Sequence, residues 1–235
     1  DIVIVDHYGI GSAWEMMMPC PVMVIDDLTD RPHECIMLVN QNLDVVPQDY
    51  VGLIPSAALC LAGVDYAMLR SEFKDLSTDA TVARKNRPLT NVLISLGGAD
   101  EPNATGWALQ ALASIKPIPS ITITIVMGPT APHLSTIKMQ TATMPITTQV
   151  LAGTSNMAPL MANADLAIGA AGSTSWERCV LGLPTIMVVL ADNQRPIADA
   201  LVQAGAAVQC PLWQDKALQT HFLRLTNDPV ALRDM

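Results

Sequence analysis

The sequence predicts an α/β protein of two Rossmann-like domains, the N-terminal one incomplete. Three observations carry that expectation. Short apolar runs recur along the 235-residue chain and give way to polar or glycine-containing loops. Through the second half those runs alternate with stretches of helical period, the pattern of layered parallel sheets. Hydrophobic residues make up 50% of the chain, which supports a substantial core.

The elements follow in order. The chain opens on "DIVIVDHYGI", an Ile/Val run between two aspartates followed by Asp6-His7-Tyr8-Gly9. Such a run reads as a buried parallel strand with neighbours on both sides. Met at position 1 is missing and nothing precedes the strand, so it reads as an interior strand of a half whose first elements lie upstream. Strand-like runs return at 22–25 and 35–39. Residues 74–90, "KDLSTDATVARKNRPLT", are polar and hold the bases Arg84, Lys85 and Arg87. They read as an inter-domain linker with a solvated basic face, dividing 1–88 from 89–235. In the second domain strands are expected at 91–96, 121–127, 148–151, 165–169, 184–190 and 206–209. Helices are expected at 103–114, 132–140, 157–164, 173–182, 194–204 and 215–226. The closing "NDPVALRDM" reads as the approach to a helix that the chain ends too early to form.

Composition excludes several functions. The formal net charge is −9, from 13 Lys plus Arg against 22 Asp plus Glu, which makes nucleic acid a poor partner. Acids outnumber bases 13 to 6 in residues 1–88 and only 9 to 7 in 89–235. The near-neutral second part suits an anionic ligand held by backbone dipoles. No apolar run approaches about 18 residues, so no membrane span is expected, and no secretory leader is visible. The expected location is the cytoplasm. Cys20, Cys35, Cys60, Cys179 and Cys210 form no C-x-x-C pair and read as small hydrophobes. The four histidines are scattered without metal-ligand spacing, so neither a metal nor another cofactor is expected.

Three loops in the second domain stand where strands hand over to helices, the place where open parallel sheets collect ligands. In "SLGGADEPN" (95–103) Gly97 and Gly98 let backbone approach a ligand, or simply form a tight turn. In "IGAAGSTSWERCVLGLP" (168–184) Gly172-Ser173 opens a helix whose start attracts a diphosphate, with Ser173 as its cap. Glu177, one turn on, is placed to accept from two ribose hydroxyls; the plainer reading is a first-turn acid complementing the helix dipole. In "LADNQRP" (190–196) Asn193 and Gln194 are caps or contacts to sugar hydroxyls. There is no G-x-x-x-x-G-K-[ST] and no G-x-S-x-G, which argues against a P-loop ATPase and a serine hydrolase.

Together with "DHY", "DDLTDRPHEC", "NQN" and "GVDYAMLRSEF", these loops resemble the UDP-sugar hydrolases of pseudaminic acid biosynthesis (the PseG family), relatives of the MurG-type glycosyltransferases. The resemblance runs from about residue 1 to 205. It implies a GT-B fold and metal-independent, inverting hydrolysis of UDP-2,4-diacetamido-2,4,6-trideoxy-β-L-altropyranose to UDP and free sugar, in a pathway that serves flagellin glycosylation. It implies that Gly97 and Gly98 line the diphosphate cleft and that Ser173 and Thr174 contact phosphate. Glu177 would bind ribose, and Met127-Gly128 would present backbone to uracil. Asn193, Gln194 and Tyr8 would face the sugar. The family's general base is a histidine in a Gly-rich loop near the N-terminus, of pattern GxGHxxR. No such segment occurs here, so the resemblance places the base upstream of Asp1, with His7 as a weak substitute. The alternatives are a MurG-like UDP-sugar glycosyltransferase and a nucleotide-sugar binding fragment without turnover.

Overall fold

The computed structural model describes residues 1–85, 87–116 and 118–235; residue 86 of the expected linker lies outside the described residues. The chain divides into two compact units, Asp1–Met68 and Leu69–Met235, each with its own parallel sheet.

In the N-terminal unit the strands lie in chain order: β1 (Val3–Asp6), β2 (Val22–Ile25), β3 (Met37–Asn40) and β4 (Leu59–Ala62), with a single helical turn, α1 (Ser12–Glu15), after β1. Alternate side chains go to opposite faces. One face buries Val5, Val22, Val24 and Leu38 against Cys35 and Tyr50. On the other, Ile4, Met23, Met37 and Leu59 stand in register across all four strands. There Ile4 is 60% and Leu59 50% exposed. Within these residues the opening run stands at the edge of the sheet, paired with β2. Strand β4 had no counterpart in the sequence reading, because "LCLA" is short and alternates no polar residue.

The C-terminal unit begins with α2 (Ser71–Arg84), then alternates strand and α-helix and closes on two consecutive helices. Its elements are β5 (Asn91–Ser95), α3 (Ala104–Ala113), β6 (Thr122–Met127), α4 (Leu134–Thr141), β7 (Thr147–Ala152), α5 (Met157–Asn163), β8 (Leu166–Ala170), α6 (Thr174–Val180), β9 (Thr185–Val188), α7 (Arg195–Gln203), β10 (Ala207–Gln209), α8 (Asp215–Asn227) and α9 (Pro229–Arg233). The six strands are all parallel, in the order β10-β9-β8-β5-β6-β7. The order reverses between β5 and β8, which makes their shared C-terminal edge the topological switch point of a doubly wound sheet. Val92, Ile94, Ile123, Ile125, Leu166 and Ile168 pack with Leu109, Ile137 and Phe222 of α3, α4 and α8. The alternate residues Leu93 and Ala167 pack with Phe73, Met161 and Leu181 around α2, α5 and α6.

The expected linker is mostly helix. Phe73 and Ala80 give α2 a buried stripe, and the helix packs on α5 and α6. Two of the three clustered bases, Arg84 and Arg87, are anchors. Buried Arg84 donates to the carbonyls of Met161, Ala162, Ala164 and Leu181. Arg87 pairs with buried Asp165, whose carboxylate also accepts from Thr90 N (2.8 Å) and Asn91 N (2.7 Å). Only Lys85 keeps the solvated role. Polarity misled because these polar ends saturate carbonyls and carboxylates of the neighbouring elements. The C-terminal segment likewise forms the short helix α9, since Asp228 accepts from Val230 N (3.1 Å) and Ala231 N (3.0 Å) and Pro229 sits at its first turn.

Asp165 therefore ties the starts of β5 and β8 to the chain entering the sheet. Replacing it with Ala removes the counter-ion of Arg87 and leaves two backbone donors without their acceptor, and is expected to cost about 3 kcal/mol. Urea unfolding followed by tryptophan fluorescence measures this; a loss within about 0.5 kcal/mol, as at an ordinary surface site, would remove the anchor role.

Candidate functional site

Around the β5–β8 switch, four strand-to-helix loops meet at the C-terminal edge of the sheet. The loop after β5 turns at Gly97, whose φ of 102° is open to glycine and strained for other residues. Asp100 then accepts from Ala104 N (2.8 Å) and Thr105 N (2.9 Å), closing the loop onto the start of α3. The Asp of "GGAD" is thus a buried cap, a role the sequence reading did not assign.

Gly98 O accepts from Gly128 N at 2.8 Å. A Cβ at Gly128 would stand 2.6 Å from that carbonyl, so position 128 admits only glycine without displacing the loop. At Gly98 itself a Cβ would meet nothing within 4 Å. The side chain of Met127 is buried, and its carbonyl accepts from Gly153 N at 2.8 Å. The backbone edge expected to face uracil is thus partly consumed: the Gly128 N–H braces the neighbouring loop.

Ser173 leads into α6 with helical backbone angles and makes no capping hydrogen bond through its side chain, so the expected cap is not formed. The N–H groups of Ser175 and Trp176 donate to Gly172 O (2.9 Å) and Ser173 O (3.1 Å). Arg178, 1% exposed, runs back beneath this turn. It donates from Nη2 to Ala170 O (2.7 Å) and Ser175 Oγ (3.0 Å), and from Nη1 to Thr174 Oγ1 (3.3 Å). Gly169 makes room for it: a Cβ there would lie 2.5 Å from Nη1. Burial pulls the Arg178 pKa down to about 10, still cationic at neutral pH. No signal in the sequence distinguished this arginine from a surface base.

Glu177 is joined to the start of α2. Its Oε1 lies 3.3 Å from Arg70 Nη2, while Arg70 also pairs with Glu72 (3.0 Å) and sits over the Phe73 ring at 5.0 Å. Burial raises the Glu177 pKa, and Arg70 opposes the rise. The "LRSEF" and "GSTSWE" segments, far apart in sequence, are therefore one charged cluster in the C-terminal unit. After β9, Asn193 and Gln194 lie in a 3₁₀ turn, Asp192–Gln194. Gln194 Oε1 accepts from Leu190 N at 2.9 Å, and its amide nitrogen stands 4.0 Å from where a Cβ on Gly172 would be. Gln194 thus braces its own loop and abuts the loop after β8.

The other predicted residues lie in the N-terminal unit. Tyr8 donates to Asp27 Oδ2 at 3.0 Å beyond the ends of β1 and β2. Burial raises the Asp27 pKa, Tyr8 lowers it, and Asp26 and Asp6 add to the rise. His7 Nδ1 accepts from Gly9 N at 2.9 Å. That leaves its proton on Nε2 in the neutral ring and engages the lone pair a general base would use. Behind this edge is a buried polar cluster built on the "DDLTDRPHEC" segment. His33 Nδ1 donates to Glu15 at 2.7 Å, and Asp26 accepts from Tyr50 OH at 2.7 Å.

Residues 103–227, more than half of the chain, match the model of the glycosyltransferase family 28 C-terminal domain. The chain belongs to that family. Family 28 covers the switch-point loops after β6, β8 and β9. Relatives include the spore coat polysaccharide biosynthesis protein SpsG of Bacillus subtilis, 29% identical over 64% of this chain and 43% of its own length. The UDP-2,4-diacetamido-2,4,6-trideoxy-beta-L-altropyranose hydrolase of Campylobacter jejuni is 28% identical over 89% of this chain and 73% of its own. This chain thus spans less than half of the Bacillus relative. Among solved structures, MurG of Acinetobacter baumannii superposes with a TM-score of 0.62 over 95% of this chain and 64% of its own, at 20% identity. That likeness agrees with a GT-B-type, Rossmann-like fold.

The contact between Gly98 and Gly128 makes opposite forecasts for two similar substitutions. Gly128→Ala is expected to destabilise the protein by about 2 kcal/mol through overpacking against the Gly98 carbonyl. Gly98→Ala should stay within about 0.5 kcal/mol. Thermal unfolding of both variants checks this, and equal shifts would show that the two loops are not braced there.

Proposed function

We propose that the switch-point loops bind a uridine diphosphate sugar, and that the protein hydrolyses it to UDP and free sugar. The substrate proposed is UDP-2,4-diacetamido-2,4,6-trideoxy-β-L-altropyranose, the compound named for the Campylobacter relative. The observation that carries the reading is the convergence of glycine-lined loops after β5, β6 and β8, braced Gly98 to Gly128, on one edge of the sheet. Such an edge offers close approach to backbone with little side-chain bulk, which suits a diphosphate.

In this reading Gly97 and Gly98 line the diphosphate, Ser173 and Thr174 donate hydroxyls to phosphate, and Glu177 accepts from ribose. Asn193 and Gln194 face the sugar. Uracil lies near Met127 and Gly128, reached by groups other than the committed Gly128 N–H. Water attacks the anomeric carbon, giving its proton to a general base for which no residue of this chain is assigned, and the carbon–oxygen bond to UDP breaks with inversion, so negative charge grows on the leaving diphosphate. Donors already fixed in place stabilise that charge without reorganising, and no metal is invoked. His7 is not assigned as the base, because Gly9 occupies its Nδ1.

A second reading is glycosyl transfer, with an acceptor hydroxyl replacing water. It is favoured by the match to a glycosyltransferase domain family and by the MurG-like fold. Identifying the product from the UDP-sugar, free sugar against glycoside, separates the two.

Titration calorimetry with UDP tests the binding claim: saturable heat is expected, and a folded protein without it would remove the proposal. Glu177→Ala should weaken UDP roughly tenfold more than dUDP if the carboxylate holds both ribose hydroxyls. Equal losses for the two nucleotides would make Glu177 only the partner of Arg70.

A further inference from the structure

A diphosphate brings at least two negative charges, and the loops around the switch point contain no lysine. The helix α6 is only seven residues long, and the N–H groups of Ser175 and Trp176 are already spent on carbonyls of its own turn. Two nearby guanidinium groups are neutralised: Arg70 by Glu72 and Glu177, and Arg195 by Asp192 at 3.0 Å. Arg178 is different. No carboxylate among the described residues lies within 4.0 Å of it, and its Nε finds no hydrogen-bond partner.

A buried cation with no carboxylate in contact is costly; Glu177 attracts Arg178 from a distance but is itself paired with Arg70. Arg84, also buried, is surrounded by carbonyl acceptors from two neighbouring segments, the ends of α5 and α6. Arg178 instead has one carbonyl and two hydroxyls. A hydroxyl that accepts from a guanidinium still has its own O–H to donate, and the donated charge strengthens that bond. Thr174 is half-buried, with Arg178 on its inner side. Its O–H is therefore turned away from the cation.

We propose that Arg178 is a positioning residue for the diphosphate: it aims the Thr174 hydroxyl at a phosphate oxygen and supplies the positive charge that the bound diphosphate neutralises. It does so from beneath the turn, without touching the ligand, in space left by Gly169. The inference rests on the UDP-binding reading and adds to it the source of the missing charge.

The test uses the full chain and UDP, titrated at low and high salt. Arg178→Met is expected to weaken UDP on the order of 10- to 100-fold and to flatten the dependence of affinity on salt, since an anion-attracting charge is gone. Thr174→Val keeps the arginine and the fold, and should lose a similar factor. The double variant should lose little more than the worse single one, because both act through one hydrogen bond. Arg178→Lys should recover the salt dependence but not the full affinity. If Arg178→Met does not fold, Thr174→Val and Arg178→Lys carry the test. Wild-type affinity and salt dependence in these variants would overturn the role of Arg178. Failure of the wild type to bind UDP would instead overturn the underlying reading.

Discussion

Two neighbouring strands in the middle of the C-terminal sheet, β5 and β8, send their chains away in opposite directions along the sheet. Right-handed crossovers then fix where the following helices go, and the loops leaving the two strands are parted at their tips. That parting is a consequence of connectivity alone, before any side chain is chosen. The residues around it supply only what connectivity lacks: glycines where loops must come close, and caps where helices must start. Asp100 is one such cap, and Asp165, at the other end of the same two strands, locks their starts together.

Buried charge is handled in three ways. Arg84 is dissolved among carbonyls, so it glues α2 to α5 and the end of α6 without needing an acid. Asp165 meets Arg87 and backbone donors, so both signs are present. In the N-terminal unit His33 stands between Glu15 at 2.7 Å and Asp26 at 3.9 Å, with Arg31 3.3 Å from Asp26. Each solution fixes a junction that hydrophobic packing would leave free to slide. The charged residues thus give register and angle, while the core described by Val92, Ile123 and Ile168 gives cohesion.

Much of the C-terminal unit was legible because its strands are apolar, its helices are separated by glycine or proline, and the two alternate. The glycine loops were legible for the same reason, since a strand-to-helix handover marks itself. What failed was anything decided by a distant partner. Polar α2 looked like a linker until Phe73 found a core and Arg84 found carbonyls. Glu177 read as a ribose acid or a first-turn acid, without its ion-pair partner, because Arg70 is more than a hundred residues away. Arg178 looked like any helix base because its burial depends on Gly169, in the preceding strand.

The brace between Gly98 and Gly128 reaches beyond stability. Two crossovers that share a carbonyl-to-amide contact, with no room for a single carbon between them, cannot drift apart in sequence independently. A chimera that imports only one of these loops from a relative inherits a backbone path fitted to the other. The smallest exchangeable module is therefore the pair, residues 96–103 together with 127–131. Recombination within this fold should be tolerated more readily at the edges of the sheet than across its centre.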